Sequence, residues 1–467
     1  MGLTRSNKLA KRDRGRAFLF GLMLCASITV MTAPSTAGNV EPNAEQTAAY
    51  EKSTEGARIK LLIALAKQGQ HELADTMLQR YPLTGKYANN RTLYIEGLIL
   101  RGRKDNKGAT AKFRAALADD PKLSLVRTDL AETLIAMGED DSAKHHLQLL
   151  EADAPNAQVA SNIRAFIDRI DQNSPYKFSA YMSLAPSTNV NNGSSHDTVK
   201  VYEGPVFGLV NEPVLTRRKS GIGTAVGVNG SYYKRLGNHW AAVFAEGGSA
   251  KIYSDRSFDS FGLSQSFDIR YMQDGARIGV GLIASESIKS DLSGMPYYAF
   301  GPRVSTSVNL TVRDVIAETI IYEKRKYPHA SSVNGWASFT DIGWTHSFDA
   351  GTNVTTSLGF DRIKSGFDAY SYKTWYTGLN LYKEMPHGIT ANLSGQAQYS
   401  TFDVFNDVGQ KFRKDARLIG SLGLVKRDWN IFGFAPSVEY TFVKNFSNLN
   451  IYDYNSHAFD FRLTKDF

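Results

Sequence analysis

The sequence predicts two structural classes in one chain: an N-terminal helical repeat domain, then a C-terminal transmembrane β-barrel of about fourteen antiparallel strands. Three observations carry that prediction. The chain opens with a basic stretch and a short apolar run. Residues 57–170 keep a helical period and repeat their small residues about every 34 positions. From Tyr176 onward, segments of period two recur, and the last ends on an aromatic residue.

Arg5, Lys8, Lys11, Arg12, Arg14 and Arg16 against Asp13 place about +5 of the formal +8 in the first sixteen residues. The roughly +3 left for the rest is too little to point to nucleic acid. Ala17 to Met31 is an apolar run of about fifteen residues, short for a membrane-spanning helix. Ser35-Thr36-Ala37 follows as a small-x-small cleavage pattern, so residues 1–37 read as a secretory signal peptide, with an uncleaved anchor as the alternative. Cys25 is the single cysteine and lies inside the apolar run; Leu24 before it argues against lipidation. The mature chain would then have no disulfide and no thiolate metal site. Residues 38–56 are polar and read as a flexible leader.

Residues 57–173 form the predicted helical domain. Ile59, Leu62, Ile63 and Ala66 recur at helix spacing, as do Leu130, Leu134 and Met137. Ala74, Ala109 and Ala143 repeat; Leu78, Phe113 and Leu147 follow each by four, and Pro121 and Pro155 close the last two units. Gly97 and Ala131 supply small residues where paired helices touch. The pattern resembles three tetratricopeptide repeats, whose first helices line a concave groove. By repeat position, Arg91, Tyr94, Leu98 and Arg101 face that groove, with Thr128 and Glu132 of the next unit. The groove would bind a peptide or protein, or else only space the barrel from a neighbour. His145-His146 are adjacent, so their side chains diverge and do not suit a metal.

Residues 174–467 form the predicted barrel. In Val304 to Val312 the odd and even positions separate polar from apolar, and Ser338 to Phe348 does the same, with Ile342, Trp344, His346 and Phe348 outward. A soluble sandwich would use shorter strands. Short connections are expected at Leu236-Gly237-Asn238, Gln273-Asp274-Gly275, Arg313-Asp314, Asp349-Ala350-Gly351, Met385-Pro386-His387 and Asp428-Trp429. Longer ones are expected at Asn192–Ser220, Ser254–Ser257, Lys289–Tyr298, Lys326–Val333, Ser365–Ala369, Asp403–Arg413 and Asn445–Asp453. Short periplasmic turns alternate with long outer loops in such barrels, which puts the helical domain in the periplasm. Pro436, inside the strand expected over Asn430 to Lys444, calls for a bulge. Asp268, Arg270, Glu318, Asp361, Glu439, Asp460 and Arg462 are the candidate lumen charges.

In the closing segment Phe459, Phe461, Leu463 and Phe467 share one parity, with Lys465 a departure near the end; Asp460 and Arg462 fall on the other. An apolar face ending in Phe467 resembles the strand that the barrel-insertion machinery reads in bacterial outer-membrane barrels.

A helical repeat domain joined to such a barrel resembles the surface lipoprotein assembly modulators, also called type XI secretion translocators. The junction Ser183-Leu184-Ala185-Pro186-Ser187-Thr188-Asn189-Val190-Asn191-Asn192-Gly193-Ser194 looks like that family's opening strand. The resemblance implies an outer-membrane protein that carries client proteins across the membrane, either surface lipoproteins or secreted binding proteins for haem or metal carriers. It implies a repeat domain that engages the clients or their periplasmic chaperones, with no cofactor and no catalytic residues. The other readings are an exopolysaccharide exporter, which would carry more repeats and a lumen of one sign, and a general porin. His346 has no partner that the sequence can place, so the chain is not expected to be an enzyme.

Overall fold

The computed structural model describes residues 44–467, except 174, 215–216, 274, 289–294, 350, 408, 428, 430–433 and 465–467. The signal-peptide segment 1–37 and Phe467 therefore lie outside the described residues.

Eight helices come first among the described residues: α1 (Ala44–Lys52), α2 (Glu55–Lys67), α3 (His71–Arg80), α4 (Ala88–Gly102), α5 (Asn106–Asp119), α6 (Ser124–Met137), α7 (Asp140–Ala152) and α8 (Ala157–Asn173). The described part of the segment expected to be a flexible leader, residues 44–56, is instead largely helical. Its Tyr50 is buried, with the Tyr81 ring 5.5 Å away, and its carbonyl accepts from Arg58 Nε at 3.0 Å. One aromatic in a polar nonamer leaves no periodicity to read, so only the packing partner reveals it. α2 with α3, α4 with α5, and α6 with α7 form three helical hairpins. The repeat positions Ala74, Ala109, Ala143, Phe113 and Leu147 are all buried, because residues four apart share a helix face. Gly97 shows why the paired helices need a small residue: a Cβ there would lie 2.5 Å from Phe113 Cε1. Thr54 and Asp105 cap α2 and α5 by accepting backbone N–H groups, and Gly138, with φ of 79°, ends α6 in the left-handed conformation.

The chain then forms β1 (Tyr176–Ser187), β2 (Thr198–Tyr202), β3 (Leu209–Pro213), β4 (Gly221–Arg235), β5 (Trp240–Tyr253), β6 (Ser260–Gln273), β7 (Ala276–Ile288) and β8 (Tyr297–Asn309). It continues with β9 (Asp314–Lys326), β10 (Gly335–Asp349), β11 (Thr352–Ser365), β12 (Tyr372–Met385), β13 (Ile389–Asn406), β14 (Lys411–Lys426), β15 (Ala435–Ser447) and β16 (Tyr454–Thr464). Fourteen of them close an antiparallel barrel in sequence order, β1 pairing with both β4 and β16. β2 and β3 form a separate hairpin within the connection 188–220.

The alternation of connections holds in outline. Segments 236–239, 274–275, 310–313, 350–351, 386–388 and 427–434 turn at the end that carries the helical domain; the others turn at the far end. Three details differ from the sequence reading. The long loop expected at 403–413 is a hairpin extension of β13 and β14 with a turn at 407–410, stabilised by Phe405 against Phe412 at 5.5 Å. The connection expected at 428–429 spans 427–434. Pro436 makes no bulge: β15 starts at Ala435, its register with β16 runs unbroken, and pairing with β14 begins only at Ser437. A proline near the first residue of a strand has no ladder bond to lose there.

Candidate functional site

A buried ionic cluster fastens the helical domain to the rim of the barrel. Arg127 of α6 shares its helix face with Leu130, Ala131 and Leu134, positions that are otherwise apolar. Its guanidinium reaches the inward-facing Glu384 near the end of β12 at 2.7 Å, and both side chains have 0% exposure. Arg427 Nη1 meets the second carboxylate oxygen at 2.7 Å, His145 Nε2 lies 3.6 Å from it, and Tyr382 Oη donates to it at 3.2 Å. Arg127 also donates to the Pro121 carbonyl at 2.6 Å and to His146 Nδ1 at 3.3 Å. Burial, followed by His145 and Arg127, holds the His146 pKa well below the usual imidazole range, so its ring is neutral and accepts. Burial lowers the Arg114 pKa in the same region. Lys122 to Asp349 at 3.1 Å and the backbone bond from His387 N to Ala118 O tie further turns to the helices.

Cavities lie on both sides of this latch. One of about 930 Å³ occupies the lumen, lined by Ser142 and His145 of α7 and by Glu439, Asp460, Arg462 and Arg303 of the wall. Another of about 840 Å³ opens between α4, α5 and the rim, lined by Lys107, Arg114, Glu139, His387 and Arg427. Between them, against Arg114, His145, His146 and Arg427, is a void of about 30 Å³, no more than a few waters in size.

The structure places six of the seven lumen candidates on inward-facing positions. Asp268, with 1% exposure, is held between Arg270 at 3.3 Å and Arg303 at 3.1 Å. Asp460 pairs with Arg462 at 3.3 Å and accepts from Ser183 Oγ at 3.2 Å; Arg462 lies over the Tyr181 ring. Asp361 is opposite Phe339 in the ladder and Glu439 opposite Asp460. Glu318 is the correction. It is in register with Ile342 and Thr306 and on the parity of the exposed Ile316, Ile320 and Tyr322, so it faces outward. Both parities of β9 carry aliphatic residues, and only the neighbouring strands decide between them. The inward charges of β9 are Glu323 and Arg325, 2.8 Å apart, with Arg325 against the Tyr297 ring.

The predicted groove also differs. Tyr94 and Leu98, 5% and 2% exposed, belong to the helical core. Tyr94 Oη donates to Asp129 at 2.6 Å, and burial followed by Asp129 raises its pKa. Arg101 meets Asp129 at 2.7 Å and Glu132 at 3.2 Å, Lys67 meets Asp129 at 3.2 Å, and Arg91 meets Glu55 at 3.3 Å. Thr128 bonds back to the Ser124 carbonyl. The concave face is thus stitched to itself around Asp129. The three long polar side chains spend their charge within the domain, and the Tyr ring packs where repeat position alone would expose it.

Phe459, Phe461 and Leu463 are exposed on the outer wall, and β15 flanks them along β16. His346, which the sequence left without a partner, pairs with Asp314 at 2.8 Å. The latch residues Arg127, Glu384 and Arg427 escaped the sequence reading. The one available signal was an arginine on the apolar stripe of α6.

A closed fourteen-stranded barrel that exposes aliphatic and aromatic side chains outward and buries charge inward is a transmembrane barrel of the outer membrane, here with a tetratricopeptide-like domain at one mouth. The surface lipoprotein assembly modifier family matches residues 176–467, and a tetratricopeptide repeat family matches residues 100–165. The chain belongs to the surface lipoprotein assembly modifier family. It is 20% identical over 429 residues to surface lipoprotein assembly modifier 1 of Haemophilus influenzae, covering 88% of this chain and 84% of the relative. Among solved structures, a Pseudomonas aeruginosa FadL homologue is 10% identical, with 62% of this chain and 90% of that chain covered and a TM-score of 0.35. OmpT of Vibrio cholerae, folded in vitro, is 6% identical, with 62% and 96% covered and a TM-score of 0.36.

Proposed function

We propose that the chain is an outer-membrane translocator that delivers client proteins, surface lipoproteins or secreted proteins that bind haem or metal carriers, to the cell surface. The helical domain faces the periplasm and receives the client, alone or with its periplasmic chaperone. The barrel conducts it, and the insertion machinery assembles that barrel from its apolar closing strand. The observation that carries this reading is the latch: Arg127, Glu384 and Arg427 hold the helical domain against the barrel rim, beside the lumen cavity. A translocator needs a receiving domain held at the barrel mouth, and a general porin does not. The relative's printed name, a modifier of surface lipoprotein assembly, supports the client class.

The test is surface display of a client lipoprotein, measured by antibody on intact cells. Cells lacking the chain are compared with cells carrying the full protein or one lacking residues 44–173. Display should require both domains. An epitope between Gly204 and Gly208 should be reachable from outside and one at Gly237-Asn238 should not. Undiminished display without the chain, or the reverse epitope pattern, would overturn the proposal. Loss of small-solute uptake alone would return the chain to the general-porin reading.

A further inference from the structure

Glu246 lies on the lipid-facing wall at mid-strand, where a carboxylate has no lipid partner. It is in register with Gly230 on β4 and Gln265 on β6, and it shares the parity of the exposed Trp240, Phe244 and Ile252. The neighbouring glycines confirm the facing. A Cβ at Gly248 would meet outward Leu263 and Val228, whereas one at Gly247 would meet lumen-side Asn229 and Ser264. Both ladders of β5 run without a register shift. Six residues along a tilted strand place Glu246 about 15 Å beyond Trp240, the middle of an apolar band of about 25 Å. Outward cations such as Lys234, Lys326, Lys383 and Lys426 sit near strand ends, too far to reach it. Its side-chain partner within the chain is Gln265, whose Nε2 donates to Oε1 at 3.4 Å.

We propose that this part of the wall, centred on Glu246 and Gln265, is the contact surface between two copies of the chain in the outer membrane. An ionisable group within the apolar band marks a site that needs a partner. A carboxylate only accepts, whereas a carboxamide has two N–H donors, one of which serves Glu246 of its own chain. A two-fold axis along the membrane normal keeps depth constant. Placed between β5 and β6, it sets Gln265 of each copy against the partner's Glu246, and the second N–H closes a reciprocal pair. The surface is therefore complementary to itself, as a two-fold contact requires. Gly230, Gly248 and Ala284 flank the pair on outward positions, and the outward Leu263 with the exposed Phe244 and Phe267 beside them supplies the apolar contact around it. Lipid tails supply neither donor nor acceptor at this depth.

The experiment uses the full chain in intact outer membranes, with Cys25→Ser to leave no native thiol. Gly248→Cys places a thiol beside the contact, where a Cβ makes only ordinary contacts at 3.6 Å. Leu379→Cys on β12, about halfway round the barrel, is the control. Oxidation should give a band at twice the chain mass at least tenfold stronger for the first than for the second. Adding Glu246→Leu with Gln265→Leu should cut that band at least fivefold and convert the detergent-extracted protein from dimer to monomer by light scattering. An unchanged heat-modifiable barrel would show that this variant still folds. A Gly248→Cys band no stronger than the control would overturn the proposal. So would a cross-linked product of a different mass, which would assign the patch to another membrane protein, or a dimer indifferent to the double substitution.

Discussion

Replacing Arg127 by Met removes one partner of a fully buried ion pair and leaves a side chain of similar length on the apolar face of α6. Breaking a buried pair from one side costs about 3–5 kcal/mol, because the remaining charge stays desolvated. Glu384 would keep Arg427 at 2.7 Å and His145 at 3.6 Å, so Arg127→Met belongs near ~3 kcal/mol. Glu384→Gln is the harsher change. It strips the countercharge from Arg127 and Arg427 together, with side-chain exposures of 0% and 14%, and belongs near ~5 kcal/mol. Arg103→Ala is the internal control, since that guanidinium pairs with Glu72 and Asp75 on the domain surface and exposed pairs contribute ~1 kcal/mol or less. The assay is urea unfolding of the full chain in detergent micelles, followed by ellipticity at 222 nm, which reports the helical domain. With a urea dependence of about 1–3 kcal/mol per molar, the Arg127→Met midpoint should fall by roughly 1–3 M, and that of Glu384→Gln by more. In planar bilayers the same two variants should open more often than the unaltered protein. A midpoint shift for Arg127→Met no larger than that of Arg103→Ala would refute the latch as a closed, buried pair.

Two further outcomes follow from the same geometry. Burial beside Arg127 and His145, opposed only by Glu384, depresses the His146 pKa, so the folded state binds fewer protons than the unfolded state below the ordinary imidazole value. Stability should rise with pH through that window and be lost as pH falls below ~6.5, by up to about 1.4 kcal/mol per pH unit, and His146→Gln should flatten the profile measured by the same urea titration. On the barrel, Glu318→Leu should leave the temperature of the heat-modifiability transition unchanged or raise it, because its charge faces outward. Asp268→Leu should lower it, because the partly exposed Arg270 and Arg303 lose their shared countercharge, at a cost of about 1.5–3 kcal/mol; equal responses in the two variants would contradict the assigned facing.

The barrel was legible in the sequence because a strand crossing a membrane must present apolar side chains on every second position, and chain-local alternation records that directly. Phe459, Phe461 and Leu463 announce their face without reference to any neighbour. The helical hairpins were legible for a similar reason: Gly97 and Ala109 are small because Phe113 and its neighbours fill the space between paired helices. Where alternation was weak, local reading failed. β9 carries Ile316 and Ile320 on one face and Val315 and Ile321 on the other, so Glu318 could be assigned only through its register with Ile342 and Thr306.

The sequence by itself determined the two classes of structure, their order and the near-even rhythm of the strands, because each depends on spacing between residues close in the chain. The tertiary structure alone decided which charges meet. Asp129 gathers Tyr94, Arg101 and Lys67 from two other helices, and Tyr94 and Leu98 are buried where repeat position had exposed them. Arg127 finds Glu384 across 257 positions of chain. Helical period and strand parity can say that each side chain is turned inward, but they do not carry the relative placement of two domains. The Coulombic pairing of Arg127 with Glu384 arises only when α6 comes to rest against the end of β12.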